Sequence, residues 1–414
     1  MRSRLAIVLA LVLFGLALGN NFDLLYRLAY VLAGTLVLGY FWARANISWL
    51  EVSTERKTER AQVGHVAEER IRVRNTGKLP KLWVEIRDNS DLPGHKAAVV
   101  VNLPPGKYRS WRIRTECRRR GRYTMGPLTV ESGDPFGLFH FKRTIGGTYS
   151  ILIYPKAIDL PNFMLPPANL PGEGRLRRRA HHTTPNASSV REYAFGDGLN
   201  RIHWPSTART GKLMVKEFDQ DPMSDVWLVM DLEKKVQAGA EDESTEEYAV
   251  TIAASIAKRY IEANRAVGLI TSGARTEVVQ SEKGATHLTR IMEALATVRA
   301  DGETPLGQVL LREVNRFTRH TTVVVITPSV SEEWVMGLRH LMRRGVMAVA
   351  VLLEPGTFGG KENALLAFGS LVASGIPTFL VKQGESVERS LRSVAAGHNV
   401  SYRGASFYGK GGPQ

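Results

Sequence analysis

Over residues 190–218 the sequence interleaves charges of both signs with aromatic and imidazole groups: Arg191, Glu192, Tyr193, Gly196, Asp197, Arg201, His203, Trp204, Arg209 and Lys216. Three readings of that set are open. Two carboxylates and an imidazole, Glu192, Asp197 and His203, can do general acid–base work if the fold brings them to one pocket. The arginines can instead grip a carboxylate or phosphate on a partner while Trp204 packs as an anchor. The third reading is structural: internal ion pairs and a buried indole pin a long loop, with Gly196 and Gly211 supplying turns.

Little else in the chain has the spacing of a known chemistry. Gly360-Lys361 is followed by Glu362 and lacks the upstream glycine of a phosphate loop; no GxGxxG follows the first parallel strand, and neither HExxH nor GxSxG occurs. His181 and His182 stand in a basic loop with no further ligands placed to complete a metal site. Cys117 is the only cysteine, which excludes an intramolecular disulfide, a CxxC pair and a four-cysteine zinc site.

The elements that must position these residues follow from pattern. The 414 residues are 43% hydrophobic and 23% charged, a soluble-protein composition that excludes wholesale disorder and a polytopic transporter. The first 45 residues depart from it. An apolar run over 5–18 lies behind Arg2 and Arg4, and after Asn20-Asn21-Phe22-Asp23 a second run covers 24–42, broken by Arg27. Two membrane segments joined by a tight polar turn are the direct reading of residues 1–45, although 14 residues span only ~21 Å against a ~30 Å hydrocarbon core. The rival is a signal peptide cleaved at Ala17-Leu18-Gly19. With Arg44 behind the second run, the positive-inside rule puts the remaining domains in the cytoplasm, on an inner (cytoplasmic) membrane.

Residues 46–155 alternate with period two over 70–74, 82–86 and 111–115, with an apolar run at 97–103 before Pro104-Pro105-Gly106, which predicts an antiparallel β-sandwich. Residues 156–222 form a basic connector containing Arg175, Arg177, Arg178 and Arg179. From 223 to 395 buried strands alternate with amphipathic helices, as in a doubly wound, mostly parallel α/β sheet, and 396–414 is a glycine-rich tail. The net charge of +15 favours anionic partners. Its placement beside the apolar segments points to anionic lipid, and nucleic-acid binding through the basic arm is the weaker alternative.

Three stretches resemble the bacterial family called domain of unknown function 58. The first joins Arg119-Arg120-Gly121-Arg122-Tyr123 and Gly126-Pro127 to Asp134-Pro135-Phe136-Gly137-Leu138-Phe139; the second runs from Val190-Arg191-Glu192-Tyr193 through Arg201-Ile202-His203-Trp204 to Val215-Lys216-Glu217-Phe218. The third, after Asp225, matches in pattern. The resemblance implies a transmembrane helical hairpin, a β-sandwich and a von Willebrand factor A-like α/β domain. It also implies a membrane-tethered, non-enzymatic scaffold working with a MoxR-type AAA+ ATPase, and a membrane transglutaminase-like protein as a further partner. In A-like domains that bind Mg²⁺, an Asp-x-Ser-x-Ser loop and a later threonine supply oxygen ligands. Asp231, Glu233 and Thr304 are similar in place, but Glu233 and Lys235 replace the two hydroxyls. The expectation is therefore a metal-free scaffold in which Asp231 caps a helix or pairs with Lys234 or Lys235. Mg²⁺ at those residues, and an enzyme built on Glu192, Asp197 and His203, are the alternatives.

Overall fold

Runs rich in leucine, valine and alanine, the second broken by Arg27, have little polar face to turn outward, and near the N-terminus they form two helices, α1 (Arg2–Asn20) and α2 (Asp23–Ile47). The computed structural model describes residues 2–20, 22–56, 59–165, 187–194, 202–218, 225–319 and 321–392. Phe14 of α1 meets Tyr26 edge-on at 6.2 Å and Tyr30 at 6.5 Å, so the helices pack antiparallel. Here the two-span expectation is corrected: among the described residues only α2 is long and apolar enough to cross a membrane, because the apolar stretch of α1 is confined to Ser3–Gly19.

The chain divides into two units, residues 1–156 with 293–297, and residues 157–292 with 298–414. In the first, after the helices, come β1 (Leu50–Arg56), β2 (Arg60–Gln62), β3 (Val66–Asn75), β4 (Lys81–Asp88), β5 (Ala98–Leu103), β6 (Tyr108–Glu116), β7 (Gly121–Met125), β8 (Leu128–Gly133), β9 (His140–Ile145) and β10 (Tyr149–Tyr154). They form three sheets, ordered β1-β3-β6, β5-β4-β8-β9 and β2-β10-β7. The alternation read at 70–74, 82–86 and 111–115, and the apolar run at 97–103, fall in β3, β4, β6 and β5. The pairing is not wholly antiparallel, since β10 runs parallel to β2. Ile71, Val73, Val84, Ile86, Val101, Leu103 and Val130 bury their inward faces in one core shared by the first two sheets.

In the second unit β11 (Ala187–Glu192) and β12 (Met214–Phe218) pair antiparallel around α3 (Trp204–Thr210), so part of the expected connector is a hairpin with a helix between its strands. Arg175, Arg177, Arg178, Arg179, His181, His182 and the tail lie outside the described residues. Next come β13 (Asp225–Asp231), a minor pair β14 (Gly239–Ala240) and β15 (Glu243–Ser244), α4 (Thr245–Glu262), β16 (Val267–Ser272), β17 (Thr276–Glu282), α5 (Ala285–Thr297) and α6 (Leu306–Arg312). β18 (Thr321–Thr327), α7 (Glu332–Arg343), β19 (Met347–Leu353), α8 (Leu365–Ala373), β20 (Thr378–Val381) and α9 (Val387–Ser390) follow. The sheet order is β17-β16-β13-β18-β19-β20, parallel apart from the edge strand β17. The chain leaves β13 for β16 on one side and later returns to β18 on the other, which makes the carboxyl ends of β13 and β18 the topological switch point.

Candidate functional site

At one end of the core between the sheets, the inward strand positions change from apolar to polar. Along β3 the buried phase runs Ala67, Glu69, Ile71, Val73, and along β4 it runs Val84, Ile86 and then Asp88. β1 puts Arg56 in the same phase as its buried Leu50, and β6 buries Thr115. His95, in the turn between β4 and β5, is held by Thr115, whose Oγ1 lies 2.8 Å from its Nδ1.

Arg56 and Glu69 are cross-strand partners, and Arg56 Nε donates to Glu69 Oε1 at 2.7 Å while Nη2 stands 3.7 Å from Asp88 Oδ2. Asp88 Oδ1 accepts from Ser90 Oγ at 2.6 Å and from the Gly126 amide at 3.0 Å. These bonds use one oxygen of each carboxylate and one imidazole nitrogen. The remaining atoms, Glu69 Oε2, Asp88 Oδ2 and His95 Nε2, are buried, have no hydrogen-bond partner among the described residues, and lie within 4.8 Å of one another. Buried polar atoms that other protein groups leave without a hydrogen bond are met in folded chains by water, an ion or a shared proton. His95 Nε2 is 3.3 Å from Asp88 Oδ2 and 3.9 Å from Glu69 Oε2.

The two carboxyls are driven apart electrostatically. Burial pushes Glu69 above the usual carboxylate range, against the opposing pull of Arg56. Burial acts on Asp88 in the same direction, but His95, Ser90 and Arg56 outweigh it and hold its carboxyl below the usual value. Carboxyls so separated are the pattern of an acid beside a base. A small pocket of about 20 Å³ opens next to the cluster, lined by Arg56, Glu69, His95, Thr115 and Tyr149 among others, so Glu69 and His95 face it while Asp88 sits behind them. One imidazole nitrogen and two carboxylate oxygens are also a donor set that suits Zn²⁺ or Mn²⁺, with Mg²⁺ less favoured by the nitrogen.

This cluster overturns the expectation of a non-enzymatic scaffold, because convergent buried acid, base and imidazole groups are apparatus for catalysis or metal binding. Sequence motifs missed it since Glu69, Asp88 and His95 follow no fixed spacing. The available signal was charge at the inward phase of alternating strands.

The residues singled out by sequence are placed differently. Glu192 accepts from Lys212 Nζ at 2.5 Å, and His203 Nδ1 lies 2.7 Å from Ser206 Oγ, so each is engaged locally. Tyr193 donates its amide to Leu213 O at 2.8 Å. Trp204 begins α3 and is 65% exposed, which rules out a buried indole, and Arg209 is exposed in the last turn. Arg191 and Lys216 lie in β11 and β12, while Gly196, Asp197 and Arg201 fall outside the described residues.

At the switch point of the second unit, Asp231 accepts from Thr327 Oγ1 at 2.6 Å and from the Glu233 amide at 3.1 Å. Those bonds replace the expected pairing with Lys234 or Lys235. Desolvation raises the Asp231 carboxyl to about 6. Glu233 is buried as well, and the Gly302 amide hydrogen-bonds Leu232 O at 3.0 Å, two residues ahead of Thr304.

Comparison with other proteins places part of this chain in context. Residues 189–356 match the family described as "Protein of unknown function DUF58". The Glu69–Asp88–His95 cluster lies outside that stretch. "Uncharacterized protein YeaD" of Bacillus subtilis is 24% identical over 238 residues, 56% of each chain, so the match spans about half of that relative. "Uncharacterized protein Rv1480" of Mycobacterium tuberculosis is 27% identical over 246 residues, 57% of this chain and 69% of the relative. The CARDB domain of PF1109 from Pyrococcus furiosus, solved in complex with di-metal ions, aligns with 25% of this chain and 91% of its own at 16% identity and a TM-score of 0.20.

Proposed function

We propose that this chain is a membrane-anchored, metal-dependent enzyme of the DUF58 group, with Glu69, Asp88 and His95 as ligands to a divalent cation that faces the small adjoining pocket. The carrying observation is the convergence within 4.8 Å of three buried ligand atoms that make no hydrogen bond among the described residues. The local charge fits. With both carboxyls ionised, two carboxylates against one guanidinium leave one negative charge, which a bound cation would neutralise. A bound divalent cation would supply an acidified water as nucleophile. Of the chain's own groups, Arg56 and Ser90 fix the carboxylates and Thr115 orients the imidazole.

Two further elements belong to this reading. Length and composition of α2 support the anchor. The sheet order of the second unit supports an A-like scaffold, and the saturation of Asp231 by Thr327 and the Glu233 amide supports its working without a metal. The test is calorimetric titration of the chelator-treated full chain in detergent with Zn²⁺, Mn²⁺ and Mg²⁺. Micromolar or tighter binding of one of them, lost in His95→Ala and Asp88→Asn, is expected. Absence of heat with all three ions, together with an unmoved melting temperature, sinks the proposal.

A further inference from the structure

Trp49 and Trp83 are two of the four non-glycine residues with positive φ among the described residues, at +56° and +52°. A left-handed backbone at a bulky residue costs about 1–3 kcal/mol and persists only where the surroundings enforce it. Here they do. Trp49 O accepts from both the amide and the hydroxyl of Thr76 at 2.9 Å, and the Trp83 amide donates to Asn102 Oδ1 at 2.7 Å. Trp83 also falls in the register break between Lys81 and Val84, a bulge of the kind that re-aims a side chain. This strain is not offset by burial of the rings, since the two residues are 58% and 69% exposed. The backbone is held in an unfavourable conformation to present indoles outward.

Both indoles stand where α2 meets the β-strands. Lys81 Nζ donates to Ala45 O in the last turn of α2 and lies 5.2 Å from the centre of the Trp49 ring. Asn46 bonds the main chain of Leu82, next to Trp83. The 25 residues of α2 are ~38 Å long at 1.5 Å per residue; along them Ala29 and Leu36 are buried, and in the last turns Gly39, Ala43, Asn46 and Ile47 are buried while Tyr40, Phe41 and Trp42 stay exposed. Gly39 faces Asp134, whose turn carries Phe136 with 64% of its surface exposed.

We propose that Trp49, Trp83 and Phe136 form a collar that seats the β-rich unit in the headgroup layer of the bilayer that α2 crosses. An indole suits that layer because its ring is apolar and its N–H needs a polar partner. The occupant follows from continuity. The three aromatics lie at the end of α2 that is joined to the strands, and the bonds of Asn46 to Leu82 and of Lys81 to Ala45 leave no flexible linker by which the unit could stand away. This inference rests on the anchoring role of α2 and is independent of the metal centre.

The test uses the full chain in liposomes containing phospholipid brominated near the headgroup end of its acyl chains, comparing wild type with Trp49→Phe, Trp83→Phe and the double variant. The expected result is that the emission removed by each substitution is the part quenched by brominated lipid, and that the double variant loses most of the shallow quenching. Emission quenched by aqueous iodide, or shielded from both quenchers as by a protein partner, overturns the collar when the chain still resists alkaline carbonate extraction. Extraction of wild type by carbonate overturns the anchor and, with it, the collar.

Discussion

Asp88 Oδ2 and His95 Nε2 face each other at 3.3 Å with neither atom in a hydrogen bond, although both side chains are almost wholly buried. The two groups are thus held facing each other at ion-pair distance by the bonds behind them: Ser90 and the Gly126 amide on Asp88, and Thr115 on His95. That spacing is a property of the supporting bonds. Changing those bonds, or the groups themselves, should have effects of opposite sign.

The first such effect separates the two carboxyls. Asp88 is held below its ordinary value, so its stabilising contribution is present above the unfolded value and is lost as pH falls through the native one. Glu69 is raised, so its ionisation opposes folding, and stability declines as pH rises from its unfolded value through its native one. Asp88→Asn should therefore destabilise by about 1–3 kcal/mol near neutral pH. Glu69→Gln, which keeps an acceptor for Arg56, should be neutral within about 1 kcal/mol or mildly stabilising, while removing metal binding. Urea midpoints of the two variants in detergent check the order; a larger loss for Glu69→Gln contradicts it.

The residues of this site show why part of the structure was legible and part was not. Period-two alternation carries enough hydrophobic contrast to place β3, β4 and β6, and continuous apolar runs place the parallel strands of the second unit. β17, exposed on the sheet edge, has weaker contrast and was not foreseen. α8 also went unread, being short and apolar around most of its circumference. Glu69 and Asp88 lie 19 positions apart on strands of different sheets, and their approach is a tertiary fact with no local spacing to announce it. The 190–218 segment drew attention for the opposite reason: its charges are close in sequence, yet Glu192 and His203 find separate partners.

A second pH effect belongs to Asp231. Its native value of about 6 lies above the ordinary 3.8, so the folded chain holds that proton more tightly than the unfolded one. Stability should fall as pH rises from about 4 to about 6 and then level off, by roughly 3 kcal/mol at most for this group. Asp231→Asn retains an acceptor for the Glu233 amide and should flatten that slope. Unfolding midpoints of wild type and variant across this interval, taken as a difference, isolate the group, and parallel curves would show that Asp231 does not titrate there.

Trp204 allows a sharp separation of recognition from stability. Its indole is largely exposed at the start of α3, and truncation leaves no cavity. Trp204→Ala should change stability by no more than about 0.5 kcal/mol, the usual range for a surface substitution. A loss of several times that amount in a urea titration would mean that the indole is covered in solution.

The rigidity of the join between α2 and the strands rests chiefly on Asn46. Its Nδ2 donates to Leu82 O at 2.8 Å and to Ser132 Oγ at 3.1 Å, and its Oδ1 accepts from the Leu82 amide at 3.2 Å. Nearby, Tyr40 adds edge-on contacts to Phe139 and Phe141, both at 5.6 Å. Asn46→Ala removes the side-chain partner of the part-buried Leu82 amide and carbonyl, while the Ser132 hydroxyl keeps its bond to Trp83 O, at a cost of about 1–3 kcal/mol for each group that stays unsatisfied. Because α2 beyond this turn is untouched, the variant should remain in the membrane fraction. Its effect should show as faster amide hydrogen exchange over 45–50 and 80–84, with exchange in β18 unchanged. Equal acceleration in both units would mean that Asn46 supports the fold as a whole, whereas no acceleration would place the docking energy in the Tyr40 contacts.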